Sequence, residues 1–167
     1  MKIKTGSKHR RPKTEIGWRE IVALPDIHIP EIRAKIDTGA RTSALHAVDQ
    51  ILIERNGERW VDFHVPLHGT PRSARCLSAI VDERMVKNTG GIPEKRIIIK
   101  TTLVLGKRHW HIEVSLADRE KMQFDLILGR TAVRDHRMVV NPGSSYLTGR
   151  PILAANLAGS LGVNANE

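Results

Sequence analysis

Between Ile16 and about Val140 the chain is a succession of short runs rich in Val, Ile, Thr and Leu, each stopped by Gly, Pro or Asn. Runs of that length with turn residues between them build strands and hairpins, so the pattern restricts the fold to the all-β class. Trp60 to Val65 follows the rule most plainly. Val61, Phe63 and Val65 alternate with Trp60, Asp62 and His64, as in a strand with one buried face. Arg55-Asn56-Gly57-Glu58 comes just before it, and Asn-Gly is the pair best able to take positive φ at both turn centres. Residues 51–54 and 59–65 are therefore expected to form a hairpin. A second hairpin is expected from Ile97–Leu105 to His109–Leu116 through Gly106-Lys107. Between the two lies Asn88-Thr89-Gly90-Gly91, polar and glycine-rich, which predicts a mobile, projecting β-turn.

The single helical candidate is short: Arg130 to Asp135, directly after Leu126-Ile127-Leu128 and Gly129. From there on, Asn141-Pro142-Gly143-Ser144-Ser145 reads as loop chemistry. A chain of 167 residues has room for one ordinary domain, expected over residues 16–148. Residues 1–15 read as a basic, solvated leader: Lys2, Lys4, Lys8, Arg10, Arg11 and Lys13 face one acid, Glu15, and supply more than half of the formal charge of +9. Residues 149–167 read as a C-terminal tail. No run approaches the ~18 uninterrupted apolar residues of a membrane span, and no apolar segment follows the basic start, so a soluble, cytoplasmic protein is expected. The lone Cys76 excludes an intramolecular disulfide and a cysteine-built zinc cage, and is expected to be a small buried side chain.

The most informative stretch for chemistry is Ala34-Lys35-Ile36-Asp37-Thr38-Gly39-Ala40, an apolar strand ending in an acid, a hydroxyl and a glycine. A strand delivers the carboxylate to a sheet edge, and glycine lets the backbone turn so that an N–H can reach it. About ninety residues on, past the glycine-rich turn, Asp125-Leu126-Ile127-Leu128-Gly129-Arg130 opens the helix.

That ordered set resembles the retropepsins, the retroviral-type aspartic peptidases. More narrowly, residues 34–47, with Asp125–Ala132 and Val140-Asn141-Pro142, resemble a bacterial and archaeal family labelled "ATP-dependent zinc protease" and associated with RimK-type ATP-grasp glutamate ligases. The resemblance implies a closed, mostly antiparallel, retropepsin-like β-barrel with one short helix after Gly129-Arg130, and Asp37 as catalytic acid and base. Aspartic peptidases use two carboxylates sharing a proton, one activating water and the other protonating the carbonyl. With one Asp-Thr-Gly per chain, the second carboxylate is expected from Asp37 of another copy in a homodimer. By the same resemblance Thr38 and Gly39 support the site, Ala40 lines the cleft, and Gly90 and Gly91 belong to a flap over an extended peptide. Leu128, Gly129 and Arg130 pack beneath the active-site loop. Arg41 stands where viral retropepsins commonly carry an acid, which leaves Asp125 or Asp135 to pair with Arg130. Arg41, with Lys35, Lys95 and Arg96 expected nearby, suits an acidic peptide, and the ligase association suggests glutamate-rich ones.

The other readings are weaker. No His-Glu-x-x-His occurs. His109, His111 and Glu113 fall on one face of a strand and offer an alternative zinc-dependent peptidase, but Trp110, Ile112 and Val114 opposite make an amphipathic strand the simpler account. His28, His46, His64, His68 and His136 show no ligand spacing. No metal and no cofactor are therefore expected. A phosphate-binding Gly-x-x-x-x-Gly-Lys-Ser/Thr loop is absent, so any nucleotide requirement belongs to a partner such as the ligase. A basic barrel binding nucleic acid or an acidic protein is the non-enzymatic alternative. For nucleic acid, an aromatic share of only 4% argues against the stacked surface that single strands need.

Overall fold

The alternation of apolar and polar residues becomes strand after strand in the computed structural model, which describes residues 12–121 and 123–153. The described strands are β1 (Thr14–Leu24), β2 (Ile29–Asp37), β3 (Ser43–His46), β4 (Val48–Arg55), β5 (Glu58–Val65), β6 (Ala74–Ala79), β7 (Asp82–Lys87), β8 (Pro93–Leu105), β9 (Arg108–Ala117), β10 (Leu126–Gly129) and β11 (Met138–Ser145). The helix α1 (Arg130–Val133) follows β10 directly and runs into a 3-10 turn, Arg134–His136. Thr14 and Glu15, read from sequence as the end of the leader, lie in β1, while residues 1–11 and 154–167 are outside the described residues.

Six strands close into a barrel in the order β1, β2, β10, β3, β9, β8, and the ring is completed where Ala23 of β1 meets Val104 of β8. The expected closed all-β barrel with one short helix is the fold that forms. β11 extends β1 and β7 extends β8 outside the ring, and β4, β5 and β6 make a separate antiparallel sheet. Both expected hairpins are present, with Asn56 and Gly57 at φ 52° and 79° in the β4–β5 turn. Val61, Phe63 and Val65 are fully buried and share one core with the barrel residues Ile36, Leu45, Val114 and Leu126. At about 1.5–3 kcal/mol for each buried side chain, against ~0–1 kcal/mol for an exposed ion pair, this apolar face is what seats the second sheet on the barrel.

Three pairings are parallel: β2 with β10, β3 with β9, and β1 with β11. The last corrects the loop reading of residues 141–145, which are the end of β11. Pro142 brings no N–H, but β11 is an edge strand with bonds to form on one side only. Asn141 Oδ1 accepts the Gly143 N–H at 2.9 Å, and the register slips between Gly17 and Arg19. Gly17 makes the pairing possible, because a Cβ there would lie 2.4 Å from the Ser144 carbonyl oxygen.

Beyond β11 the chain is clasped by Glu20, a fully buried carboxylate of β1. It accepts the N–H groups of Leu147 (2.9 Å) and Thr148 (2.8 Å) and the Thr148 hydroxyl (3.0 Å). In Glu20→Gln an NH2 donor must face one of these donors, so a loss of about 1–3 kcal/mol is expected, several degrees of Tm for a chain of this size. An unchanged urea midpoint would remove this role. Cys76 is 1% exposed, and burial, with the Asp62 charge adding to it, pushes its thiol up to about 12. Its labelling by a thiol reagent is expected to proceed only as fast as the protein unfolds, and rapid labelling of the folded protein would contradict that.

Candidate active site

Strand β2 alternates strictly: Ile32, Ala34 and Ile36 face the core, while Arg33 and Lys35 face out. The next residue, Asp37, ends the strand half-buried, so its carboxylate stands at the rim of the barrel. Its Oδ1 accepts the N–H groups of Gly39 (3.1 Å) and Ala40 (3.2 Å) as the chain turns back. These two bonds orient the carboxyl group and leave Oδ2 for a proton or a water. A Cβ on Gly39 would lie 3.2 Å from that same Oδ1, so glycine keeps the turn close to the acid.

The turn is braced from β10 and α1. Gly129 pairs with Asp37 in parallel register, and a Cβ on Gly129 would fall 2.6 Å from the Thr42 carbonyl carbon and oxygen, so only glycine fits. Gly129 N–H donates to Ser43 Oγ (3.1 Å), Arg130 N–H to the Ala40 carbonyl (2.8 Å), and the Thr131 hydroxyl to the Arg41 carbonyl (2.8 Å). Leu128 is fully buried beneath. Arg130 does not pair with Asp125 or Asp135. Its guanidinium reaches the Gly39 carbonyl at 3.3 Å, with the Thr38 carbonyl at 3.5 Å, while Arg134 holds Asp135 and His68 holds Asp125. The reason is register: Asp125 lies at the opposite end of β10, roughly 13 Å from the Gly129 end at ~3.3 Å per residue.

Beside this loop a groove of about 800 Å³ runs between Arg41 and Thr42 on one side and residues Arg84–Lys87 of β7 on the other. His111, Ile112 and Glu113 of β9 form part of its floor. Arg84 is tied to Asp82 and to Glu113, each at 2.7 Å, and its hydrogen bond holds the Asp82 carboxyl below the usual carboxylate range. Arg41 and Lys87 form no ion pair among the described residues and give the groove its positive character. Lys95 and Arg96, expected beside Arg41, are not among the residues lining this groove: Lys95 pairs with Glu83, and Arg96 is buried against Glu94.

The glycine-rich turn joins β7 to β8 as a hairpin tip. It is internally tied, since Asn88 Oδ1 accepts the N–H groups of Gly90 (2.9 Å) and Ile92 (3.0 Å), and Gly91 takes φ 76°. Gly90 borders a cavity with Arg119 and Ile127, separate from the Arg41 groove. His109, His111 and Glu113 do share the exposed face of β9, but Glu113 is engaged by Arg84. Among the described residues, three potential metal ligands come together only at His46, His68 and Asp125. Sequence spacing does not reveal this group, because its members sit on a strand end, a loop and a second strand's approach. In the fold all four residues of β3, His46 included, are buried.

The arrangement has relatives. A family model described as RimB-like, "Retropepsin-like aspartic endopeptidase RimB", matches residues 15–151. Curated relatives named "Probable alpha-L-glutamate ligase" are 42% identical over 132 residues in Desulfotalea psychrophila and 38% over 136 in Shewanella pealeana. These matches take in 78% and 80% of this chain but only 28% and 30% of the relatives, so the chain spans less than a third of their length. A crystal structure of a Legionella pneumophila protein of unknown function superposes with a TM-score of 0.68 at 29% identity, covering 81% of this chain and 98% of that one. With the barrel, the Asp37 turn and its Gly129-Arg130 brace all inside the matched span, the chain belongs to the RimB-like, retropepsin-like family.

Proposed function

We propose that this chain is an aspartic endopeptidase whose catalytic pair is Asp37 of one copy and Asp37 of a second, so that dimerisation builds the site. The observation that carries the reading is the state of Asp37: a strand-end carboxylate at the barrel rim, fixed through Oδ1 by two N–H donors, in a chain with one Asp-Thr-Gly. Two such carboxylates brought together share one proton, since close like charges push their ionisations apart, and the pair titrates as a unit. The ionised member takes a proton from water as the oxygen attacks the carbonyl carbon, and the protonated member gives its proton to the carbonyl oxygen. Collapse of the tetrahedral intermediate breaks the C–N bond, and the amine leaves with a proton from the pair. In this reading Thr38, exposed at the tip of the turn, faces the other copy, and the β7–β8 hairpin covers an extended peptide in the groove beside Arg41.

The groove's chemistry supports an acidic substrate. Arg41 and Lys87 are unneutralised cations on its two walls, and carboxylate side chains spaced along an extended peptide match them. Relatives named as glutamate ligases contain a segment like this chain, which favours glutamate-bearing peptides as the material acted on. A glutamate-adding ligase is the functional partner that this reading implies.

Two measurements test it. Asp37→Asn is expected to cut kcat by at least about 10²–10⁴-fold while sedimentation still reports the dimer; retained cleavage would end the reading. Arg41→Glu is expected to lower kcat/KM severalfold for glutamate-rich peptides and to leave their glutamine-matched counterparts nearly unaffected. An equal loss on both would assign Arg41 to loop support instead of charge recognition.

A further inference from the structure

At the other end of β10, away from Asp37, three side chains converge that the proposed reaction does not use. His46 closes β3, His68 lies in the loop between β5 and β6, and Asp125 precedes β10. One donor atom from each lies within 4.8 Å of the other two. His46 and Asp125 are 2% and 5% exposed, whereas the His68 side chain is 42% exposed and, with Asp125, lines a cavity of about 320 Å³. The cluster thus has two buried donors and one at a solvent-facing mouth.

Backbone bonds set the group in place before any ligand arrives. His46 N–H donates to the Asp125 carbonyl at 2.7 Å, and His68 N–H donates to Asp125 Oδ2 at 2.6 Å. Nδ1 of His68 meets Asp125 Oδ1 at 2.5 Å, and the two imidazoles stack at 5.5 Å with 14° between their planes. Nδ1 of His46 lies between the Ala117 carbonyl (3.3 Å) and the Arg119 N–H (3.1 Å). The Arg119 N–H makes Nδ1 an acceptor, which puts the proton of the neutral ring on Nε2; a metal ion at Nε2 displaces that proton, and the Ala117 carbonyl stands ready to accept an Nδ1–H from the other tautomer. No described residue hydrogen-bonds to Nε2 of either ring.

We propose that His46, His68 and Asp125 bind one divalent transition-metal ion, for which Zn²⁺ has the matching preference, and that the ion clasps the β5–β6 loop to the barrel. Two imidazoles and a carboxylate are a borderline donor set that suits Zn²⁺ over Mg²⁺ or Ca²⁺, with the fourth position open to the cavity. Ligand distances of ~2.0–2.2 Å require the donors to draw in by about 1 Å and the His68–Asp125 contact to open slightly. The exposed His68 and its loop are the elements free to make that adjustment. A bare His68–Asp125 tether, with His46 held at Nδ1 by the Ala117 carbonyl and the Arg119 N–H, is the metal-free alternative that the titration below tells apart. The ion would sit roughly 13 Å along β10 from the Asp37 level, so it is structural and takes no part in peptide hydrolysis.

The test is metal binding by the tag-free, EDTA-stripped full chain, read without any activity assay. Calorimetric titration with Zn²⁺ is expected to give one equivalent per chain, Co²⁺ to give a visible band of four-coordinate intensity, and Zn²⁺ to raise Tm. His68→Ala, at the exposed member, is expected to weaken binding at least about tenfold and to abolish the Tm rise, with circular dichroism confirming that the variant is folded. Asp125→Asn should do the same. The paired change His109→Ala with His111→Ala, which removes the other close histidine pair, should bind as the parent does. Absence of stoichiometric uptake, a Tm unmoved by Zn²⁺, or uptake that survives His68→Ala and is lost with His109 and His111 would each overturn the proposal.

Discussion

The arrangement of the molecule depends on one insertion: β10 lies between β2 and β3, parallel to the first and antiparallel to the second. This brings the end of a late segment against the turn that follows an early one, and the contact is made backbone to backbone. Gly129 is the residue that allows it, since any side chain would occupy the space of the Thr42 peptide group. From that contact follow the bonds of Arg130 and Thr131 to the carbonyls of residues 39–41, and from those the fixed position of Asp37. The polar groups are satisfied by neighbouring backbone and not by an ion pair. Arg41 is therefore free to present its charge to the groove.

Much of this was legible in the sequence, and the limit falls where local chemistry stops. The hairpins announce themselves because Asn56-Gly57 and Gly106-Lys107 are turn residues between alternating runs, a purely local signal. The closure of the barrel and the place of Asp37, Gly129 and Arg130 came from the resemblance of the ordered motifs to the retropepsins. Parallel pairing leaves no such mark, because β2 and β10 are joined by no tight turn and their register is set by packing. For that reason residues 141–145 look like a loop, although an edge strand tolerates Pro142, and Arg130 looks like half of an ion pair. The His46–His68–Asp125 group escaped for the same reason: three residues far apart in the chain share a point in space only after the sheet has formed.

The two ends of β10 have different characters. At one end the carboxylate of Asp37 meets the rim half-exposed and oriented by two N–H groups, a condition suited to chemistry on something that arrives from outside. At the other, Asp125 is buried and meets His68 with both carboxylate oxygens, a condition suited to holding chain segments together. A four-residue strand separates them. The distinction between the acids is made by burial and by the donors each one meets, not by residue type.

The β7–β8 hairpin joins two kinds of attachment with different dependence on the medium. Its tip keeps its shape through Asn88, whose amide oxygen takes over bonds that a longer ladder would have supplied. Its base adds charged ties to the backbone ladder: Glu83 bridges Lys95 and Arg59 of β5, and Arg84 bridges Asp82 and Glu113 of β9. Exposed ion pairs weaken as the Debye length shrinks from ~8 Å at physiological ionic strength to ~3 Å at 1 M, whereas the tip's neutral bonds do not. Added salt therefore weakens the side-chain ties from the hairpin's root to β5 and β9, while the β7–β8 backbone ladder and the Asn88 turn hold as before.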